Sequence, residues 1–112
     1  MQFSHVGLVT SEPRAGEVFV EATRVWITNF IEHPFHIEWL RFEPDSPVTG
    51  PVRDQPHVAY RVDSIAQAAG DMRVLLEPFE PLEGLRVAFF LSSDGAVIEL
   101  MEYADEGIFR SG

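Results

Sequence analysis

The sequence predicts an α+β fold in which two βαβββ-type modules, the first with its helix shortened or missing, form a curved mixed sheet around a cleft. Residues 24–40 (RVWITNFIEHPFHIEWL) and 86–101 (RVAFFLSSDGAVIELM) share a common pattern. Both begin with Arg-Val, alternate apolar residues, turn, and end on an apolar strand that contains one glutamate. That glutamate follows the arginine by 14 residues in the first copy and by 13 in the second. Internal repetition of this kind dictates architecture.

A second match precedes each hairpin. His5-Val and His57-Val both stand at the start of a predicted strand, so each module begins with a strand histidine and ends with a strand glutamate. The histidine-to-glutamate spacing is 33 residues in the first module and 42 in the second. The first module is therefore shorter than the second, and the difference falls within residues 10–22. This segment is too short and too rich in Pro and Gly for a full helix.

The individual elements follow from local patterns. Alternation and β-branched or aromatic residues predict strands at 3–9, 17–21, 23–30, 35–42, 57–62 and 74–77. A capping box at Ser64–Gln67 and an apolar stripe through Met72 predict a helix that ends near Gly70. Residues 78–84 are turn-rich and lead into the closing hairpin of 86–101.

The 112 residues suit one domain made of two paired modules. The predicted parts are module one at 1–45, a linker at 46–55, module two at 56–103 and a polar tail at 104–112. Three prolines and a glycine in 43–55 predict an exposed crossover. Ile108 and Phe109 are the residues expected to tie the tail down.

Composition narrows the class of function. The chain is 46% hydrophobic, carries a net charge of −10, and all eight basic residues are arginine. No basic patch is visible, so nucleic acid is not expected as a partner. The absence of cysteine excludes disulfides and thiolate chemistry. With no apolar run of membrane-spanning length and no signal-peptide pattern, we expect a cytoplasmic protein that does not bind a membrane.

The repeat also predicts a metal site. A carboxylate on an apolar strand face, such as Glu99, is costly unless it is paired, solvated or bound to a cation. A pseudo-twofold between the modules would bring His5, Glu38, His57 and Glu99 together. Two imidazoles and two carboxylates balance a divalent cation and suit Zn, Ni, Co, Mn or Fe. The alternative is two ordinary strand histidines bonded to the backbone and two glutamates on a solvated sheet face.

The chain resembles the vicinal oxygen chelate superfamily, most closely its epimerase and glyoxalase branch. Residues 37–47 (IEWLRFEPDSP) followed by 57–65 (HVAYRVDSI) are similar to the epimerase run of last strand, linker, next strand and helix start. Residues 86–90 and 97–100 resemble the closing hairpin of that family. The resemblance implies a single vicinal-oxygen-chelate domain whose metal ligands are His5, Glu38, His57 and Glu99.

The function implied by this resemblance is that of a small metal-dependent lyase or isomerase of the glyoxalase I or methylmalonyl-CoA epimerase type. Such an enzyme takes a proton from the carbon next to a carbonyl or thioester, and the metal stabilises the enolate. Glu38 or Glu99 would double as the catalytic base. No residue of the shortened segment 10–22 matches the general base of the family.

Two alternatives stay open. One is a non-catalytic small-molecule binding protein of the bleomycin-resistance type, and the other is an iron-dependent extradiol-type dioxygenase that uses His5, His57 and Glu99. Arg61 and His36 share strand faces with the predicted ligands and are candidate substrate-binding residues. Arg61 would hold a carboxylate or phosphate, or else pair with one of the many acidic residues. Because the first module lacks helical cover for Ile37 and Trp39, we also expect a homodimer.

Overall fold

The computed structural model describes residues 1–104, so the tail anchors Ile108 and Phe109 lie outside the described residues. Within 1–104, eight strands form one sheet, accompanied by two short α-helices. The predicted α+β class and curved mixed sheet are confirmed. The strands are β1 (Gln2–Val9), β2 (Val18–Val20), β3 (Val25–Ile27), β4 (Ile37–Phe42), β5 (His57–Arg61), β6 (Arg73–Leu82), β7 (Leu85–Leu91) and β8 (Val97–Tyr103), and the helices are α1 (Pro51–Asp54) and α2 (Ile65–Ala69).

The sheet has internal twofold symmetry. Its strand order is β2-β3-β4-β1-β5-β8-β7-β6, with β1 and β5 antiparallel at the centre. On one side β1 pairs parallel with β4, and on the other side β5 pairs parallel with β8. The outer pairs are antiparallel in both halves. Both modules therefore place their first and fourth strands together at the middle of the molecule.

The strand register brings the repeated residues to equivalent positions. Glu38 lies opposite Gly7, and Glu99 lies opposite Ala59. Gly7 and Ala59 each follow the histidine of their own strand by two residues and so share its face. Across the central pair, His5 lies opposite Ala59, while Gly7 lies opposite His57. The two histidines and two glutamates consequently project from one side of the sheet, here called the inner face.

Helix α2 covers the opposite, outer face of module two. The Ser64 hydroxyl accepts a hydrogen bond from the backbone N–H of Gln67, as the capping pattern predicts. Ile65 and Ala69 then pack on Ala88, Phe90 and Leu100 of the sheet. This packing fixes β7 and β8, the strands that carry half of the inner face.

Module one has no helix at the equivalent place. Residues 10–17, between β1 and β2, form turns and irregular backbone, as the length of the segment and its Pro13 and Gly16 predict. The Arg14 guanidinium lies 3.8 Å from the centroid of the Trp39 ring. This cation–π contact covers part of the face that α2 covers in module two. Trp39 and Ile37 are half-buried within a single chain.

Two expectations about connecting segments are wrong. The crossover between modules is not exposed throughout, because Val48 and Val52 are buried in the same cluster as Val87 and Met101. Residues 78–82 are not a turn: β6 continues to Leu82, with irregular register near its prolines. Both segments turn apolar side chains inward, and that contact outweighs their local turn preference.

Within residues 1–104, no helix is both long and apolar enough to cross a membrane.

Candidate metal centre

The four predicted ligands meet at one point on the inner face. One nitrogen or oxygen of each of His5, Glu38, His57 and Glu99 lies within 4.8 Å of the others, and we call this group the His/Glu cluster. The Oε1 atom of Glu99 lies 3.2 Å from His5 Nε2 and 3.1 Å from His57 Nε2. The Oε1 atom of Glu38 lies 3.5 Å and 3.7 Å from the same two nitrogens. Strands β1, β4, β5 and β8 each supply one member.

The cluster is buried but incompletely hydrogen-bonded. His5, His57 and Glu99 are all buried, and the Glu38 side chain is 12% exposed. Although the Glu38 and Glu99 carboxylates lie close by, none of the described residues makes a hydrogen bond of regular geometry to His5 Nε2, His57 Nε2, His57 Nδ1 or Glu99 Oε1. Buried polar atoms in native proteins are normally satisfied by protein, water or an ion. Three of these four atoms are the ones that face the centre of the cluster.

Neighbouring histidines and glutamates of the cluster shift the pKa values of His5 and Glu99. Burial lowers the pKa of the His5 imidazole, but the adjacent Glu38 and Glu99 carboxylates outweigh burial and raise it to about 10. Burial likewise raises the pKa of the Glu99 carboxyl, yet His5 and His57 beside it hold that pKa below its usual range. The cluster is therefore built around an anionic Glu99 and a positive charge next to it. In the protein without metal, a proton on His5 supplies that charge.

These residues fit a divalent cation. Bonds of about 2.1 Å to imidazole nitrogen and carboxylate oxygen place neighbouring ligand atoms about 3.0–3.4 Å apart in octahedral or tetrahedral sites. The four measured nitrogen–oxygen separations, from 3.1 to 3.7 Å, are close to that spacing. A cation would also give the unbonded Nε2 and Oε1 atoms a partner. The cluster can thus hold a metal ion whose identity the donor set alone does not select.

The two histidines are oriented by different contacts. His5 Nδ1 lies 2.9 Å from the buried Ser4 hydroxyl, and the His5 ring stacks on Phe30 with centroids 4.2 Å apart. When Nδ1 donates its proton to Ser4 Oγ, the lone pair of Nε2 points into the cluster. The His57 ring is instead held edge-to-face against Phe89, 5.2 Å away. Ser4 and Phe89 thus position the two imidazoles from outside the cluster.

Gly7 is a residue of the candidate site that the sequence analysis did not identify. A Cβ atom at this position would lie 2.0 Å from Cε1 of His57, far inside van der Waals contact. The His57 ring therefore occupies the space that any side chain at position 7 would need. The signal was available in the sequence, because position 7 corresponds to Ala59 of the second module and both positions hold small residues.

Three of the four members of the His/Glu cluster form the floor of an apolar cavity of about 400 Å³. His5, Glu38 and Glu99 line its inner end. Val18, Asn29 and Leu82 also line it, and they are exposed, so they mark its mouth. The walls between floor and mouth are hydrophobic and include Ile27, Leu40, Phe42, Leu76, Val87 and Met101. A pocket of this kind is typical of a small-molecule site.

Tyr103 is a second residue that sequence reasoning missed. It lies at the end of β8, on the same strand face as Glu99, and lines the cavity. Burial, together with the nearby negative charge of Glu99, raises the pKa of its hydroxyl to about 12. Tyr103 therefore stays protonated near neutral pH and can donate a hydrogen bond.

Arg61 and His36 lie outside the lining of this cavity. The Arg61 guanidinium carbon lies 5.1 Å from the centroid of the Tyr103 ring, behind a residue that does line it. His36 is exposed directly before β4, where its φ is 52°, and its Nδ1 lies 2.9 Å from the Ser4 carbonyl oxygen. His36 thus contacts the residue that orients His5. The substrate-binding roles assigned to Arg61 and His36 stay predictions.

Comparison with protein-family models gave no match for this chain, and comparison with curated proteins gave none either. The resemblance to the vicinal oxygen chelate superfamily therefore stays a prediction, and the functional argument depends on the site itself.

Proposed function

We propose that this protein binds one divalent first-row metal ion through the His/Glu cluster and acts as a small lyase or isomerase. Its substrate would be a small molecule held in the cavity and deprotonated at a carbon next to a carbonyl. The observation that carries the proposal is the convergence of two imidazoles and two carboxylates at the floor of an apolar cavity. The ion would serve as a Lewis acid for the oxyanion that forms when the neighbouring carbon loses its proton.

The two glutamates differ in a way that divides the roles of ligand and base. Glu99 is buried and contacts both histidines at 3.1–3.2 Å, which suits a permanent ligand. Glu38 is farther from both histidines, lines the cavity and keeps some exposure. A base must reach the proton that it abstracts. Glu38 is therefore the group proposed to take the proton, and Glu99 is proposed to hold the metal.

The cavity supports such chemistry in two further ways. His5 and Glu99 are buried beside its hydrophobic walls, and electrostatic interactions are stronger there than in water. The protonated Tyr103 hydroxyl can donate to a substrate oxygen or return a proton to the product.

The test begins with metal content. We expect the purified protein, after exposure to Zn, Ni, Co or Mn, to retain one ion per chain that a chelator removes. The loaded protein should then catalyse deuterium exchange in D₂O at the carbon next to the carbonyl of α-hydroxyketones, followed by NMR. If none of the α-hydroxyketones, hemithioacetals and 2-methylacyl thioesters undergoes exchange, the enzymatic proposal is contradicted.

Paired variants separate the two carboxylates. Glu38→Gln should abolish exchange while lowering metal affinity by about tenfold, since removal of one charged ligand contact costs about 1.5 kcal/mol or more. Glu99→Gln should lower metal affinity much further, because it removes the carboxylate closest to both imidazoles. Equal effects of the two variants on metal affinity, or retained exchange in Glu38→Gln, would overturn this division of roles.

A second function is favoured by one observation. Apart from the His/Glu cluster, the only titratable side chain that lines the cavity within residues 1–104 is Tyr103. A binding protein that sequesters a small hydrophobic molecule needs no separate base. Metal-dependent ligand binding without deuterium exchange would select this function over catalysis.

A further inference from the structure

We propose that the molecule bound in this cavity is uncharged and largely hydrophobic, with its oxygen-bearing end at the His/Glu cluster and its apolar end at the mouth. The statement about the oxygen-bearing end of the ligand depends on the proposed function, whereas the statement about its apolar end depends on the cavity alone. The inference excludes substrates that are carried on phosphorylated or multiply carboxylated groups.

The charge of the lining is the first argument. Anionic groups are recognised in proteins by arginine, lysine or clustered backbone N–H donors. No arginine lines the cavity among the described residues, and the protein contains no lysine. Arg53 and Arg61 lie near the cavity, but their guanidinium carbons are 5.8 Å and 5.1 Å from the centroids of Phe42 and Tyr103. These two aromatic rings line the cavity, while the arginines do not.

The field of the whole protein acts in the same direction. The net charge of −10 repels anions. A cationic ligand would suit that charge, but the hydrophobic walls would have to desolvate it without a counter-charge before it reached the floor. A neutral molecule avoids both costs.

The shape of the cavity gives the ligand a direction. Its floor is polar, while its walls and most of its mouth are hydrophobic. Leu82 and Val18 are 51% and 54% exposed at the mouth, so they leave apolar surface open beside the entrance. A volume of about 400 Å³ lies at the lower end of the 300–1,000 Å³ range of small-molecule pockets. The ligand is therefore compact, and its hydrophobic part lies against β2, β3 and β6.

A pair of fluorescent probes tests the apolar part without any metal. N-phenyl-1-naphthylamine and 8-anilino-1-naphthalenesulfonate have the same aromatic frame and differ by one sulfonate. We expect the metal-free protein to bind the neutral probe at least about tenfold more tightly, because the sulfonate would enter an apolar site without a cationic partner. Equal affinity for the two probes would overturn the inference.

A matched pair of variants assigns this preference to the cavity. Leu82→Arg places a cation at the mouth and should bring the affinity ratio of the two probes close to one. Val74→Arg adds the same charge on the same strand, at a residue 45% exposed that does not line the cavity, and should leave the ratio within about twofold. Circular dichroism and thermal unfolding verify that both variants fold. Equal shifts in the two variants would show that the preference reflects net charge, which would contradict the inference.

A third comparison tests the oxygen-bearing end. In the zinc-loaded protein, octanohydroxamate should bind at least about tenfold more tightly than octanamide. It should also bind at least about tenfold more tightly than the monohydroxamate of suberic acid, which has a carboxylate at its far end. Zinc should not change the affinity for octanamide. Equal binding of the two hydroxamates would overturn the requirement for an uncharged tail. A protein that binds none of Zn, Ni, Co and Mn would refute the proposed function, while the probe experiment would still decide the apolar part.

Discussion

At the scale of single residues, the site depends on the sizes of the side chains next to the two histidines as much as on the histidines and glutamates themselves. Gly7 and Ala59 occupy equivalent positions in the two modules, but the space beside Gly7 is filled by the His57 ring. The position beside His5 tolerates the methyl group of Ala59, which is fully buried. The twofold symmetry of the backbone is therefore broken at the side chains next to the ligands.

Substitution of Gly7 gives a prediction at the scale of single residues. Gly7→Ala should displace the His57 ring and lower metal affinity by at least about tenfold, since neither the strand backbone nor the buried ring can move without loss of packing. The matched control is Ala59→Gly, which removes a methyl group beside His5. It should cost about 1 kcal/mol of stability and leave metal affinity nearly unchanged. Isothermal titration with Zn or Ni measures both, and unchanged affinity in Gly7→Ala would contradict the geometry of the site.

The pKa values of His5 and Glu99 predict how the metal-free protein responds to pH. His5 has a raised pKa, so its stabilising contribution is complete below about pH 6.5 and is lost as the pH rises toward 10. Glu99 has a lowered pKa, so its contribution is present above about pH 4.5 and is lost as the pH falls below that value. Metal-free protein should therefore be most stable between about pH 4.5 and 6.5.

Above about pH 6.5, metal affinity should rise while the stability of the metal-free protein falls. Since a cation must replace the proton on His5, affinity should rise as the pH increases from 6.5. Chemical unfolding of the metal-free protein and metal titration, both between pH 5 and 9, check the two trends. Glu99→Gln, which removes a charged partner of His5, should flatten the alkaline loss of stability. Metal-free stability that rises between pH 6.5 and 9 would refute this account of the cluster.

At the scale of elements, the two modules solve the same packing problem differently. Module two covers its outer face with α2, whereas module one has only the turn that carries Arg14 across Trp39. Both nevertheless hold their first and fourth strands in parallel register, and this register is what places histidine and glutamate side by side.

The cap of α2 gives a prediction at this scale. Ser64→Ala removes the hydroxyl that accepts from the Gln67 N–H and should lower stability by about 1 kcal/mol. Because α2 lies on the outer face, metal affinity should not change. Ser93→Ala, in the exposed turn before β8, is the control and should change stability by less than about 0.5 kcal/mol. A cap variant that loses metal binding would show that the two faces of the sheet are coupled.

Much of this architecture is legible in the sequence because a duplicated module repeats its signals. The His-Val and Glu positions of both copies, the missing first helix and the cap at Ser64 follow from spacing and local chemistry. The long β6 and the buried Val48 and Val52 do not, since their prolines and glycine favour turns and only tertiary contact reveals that they face inward. Gly7 and Tyr103 were missed for a related reason: their roles depend on which side chain lies across the sheet.

At the scale of the whole molecule, the His/Glu cluster joins the two halves. Each module contributes one histidine and one glutamate, and the four strands that carry them surround the pseudo-twofold axis between β1 and β5. A bound ion would therefore link the folding of both modules. The predicted homodimer is a separate matter, and sedimentation at several protein concentrations tests it.

This linkage predicts a large thermal effect. At a free metal concentration about 100 times the dissociation constant, binding to the native state alone adds about 2.7 kcal/mol of stability. For a domain of this size, that should raise Tm by about 10–20 °C. Differential scanning calorimetry of metal-free and metal-loaded protein measures the shift, with His57→Ala as the variant that should lose it.

The most direct test of the central claim is X-ray absorption spectroscopy of the protein loaded with one equivalent of zinc or nickel. The account predicts a single ion per chain coordinated only by nitrogen and oxygen, with the multiple-scattering signature of two imidazoles. The spectra of His5→Ala and of His57→Ala should each show the signature of one imidazole. A spectrum without imidazole scattering, or one that neither histidine substitution changes, would contradict it.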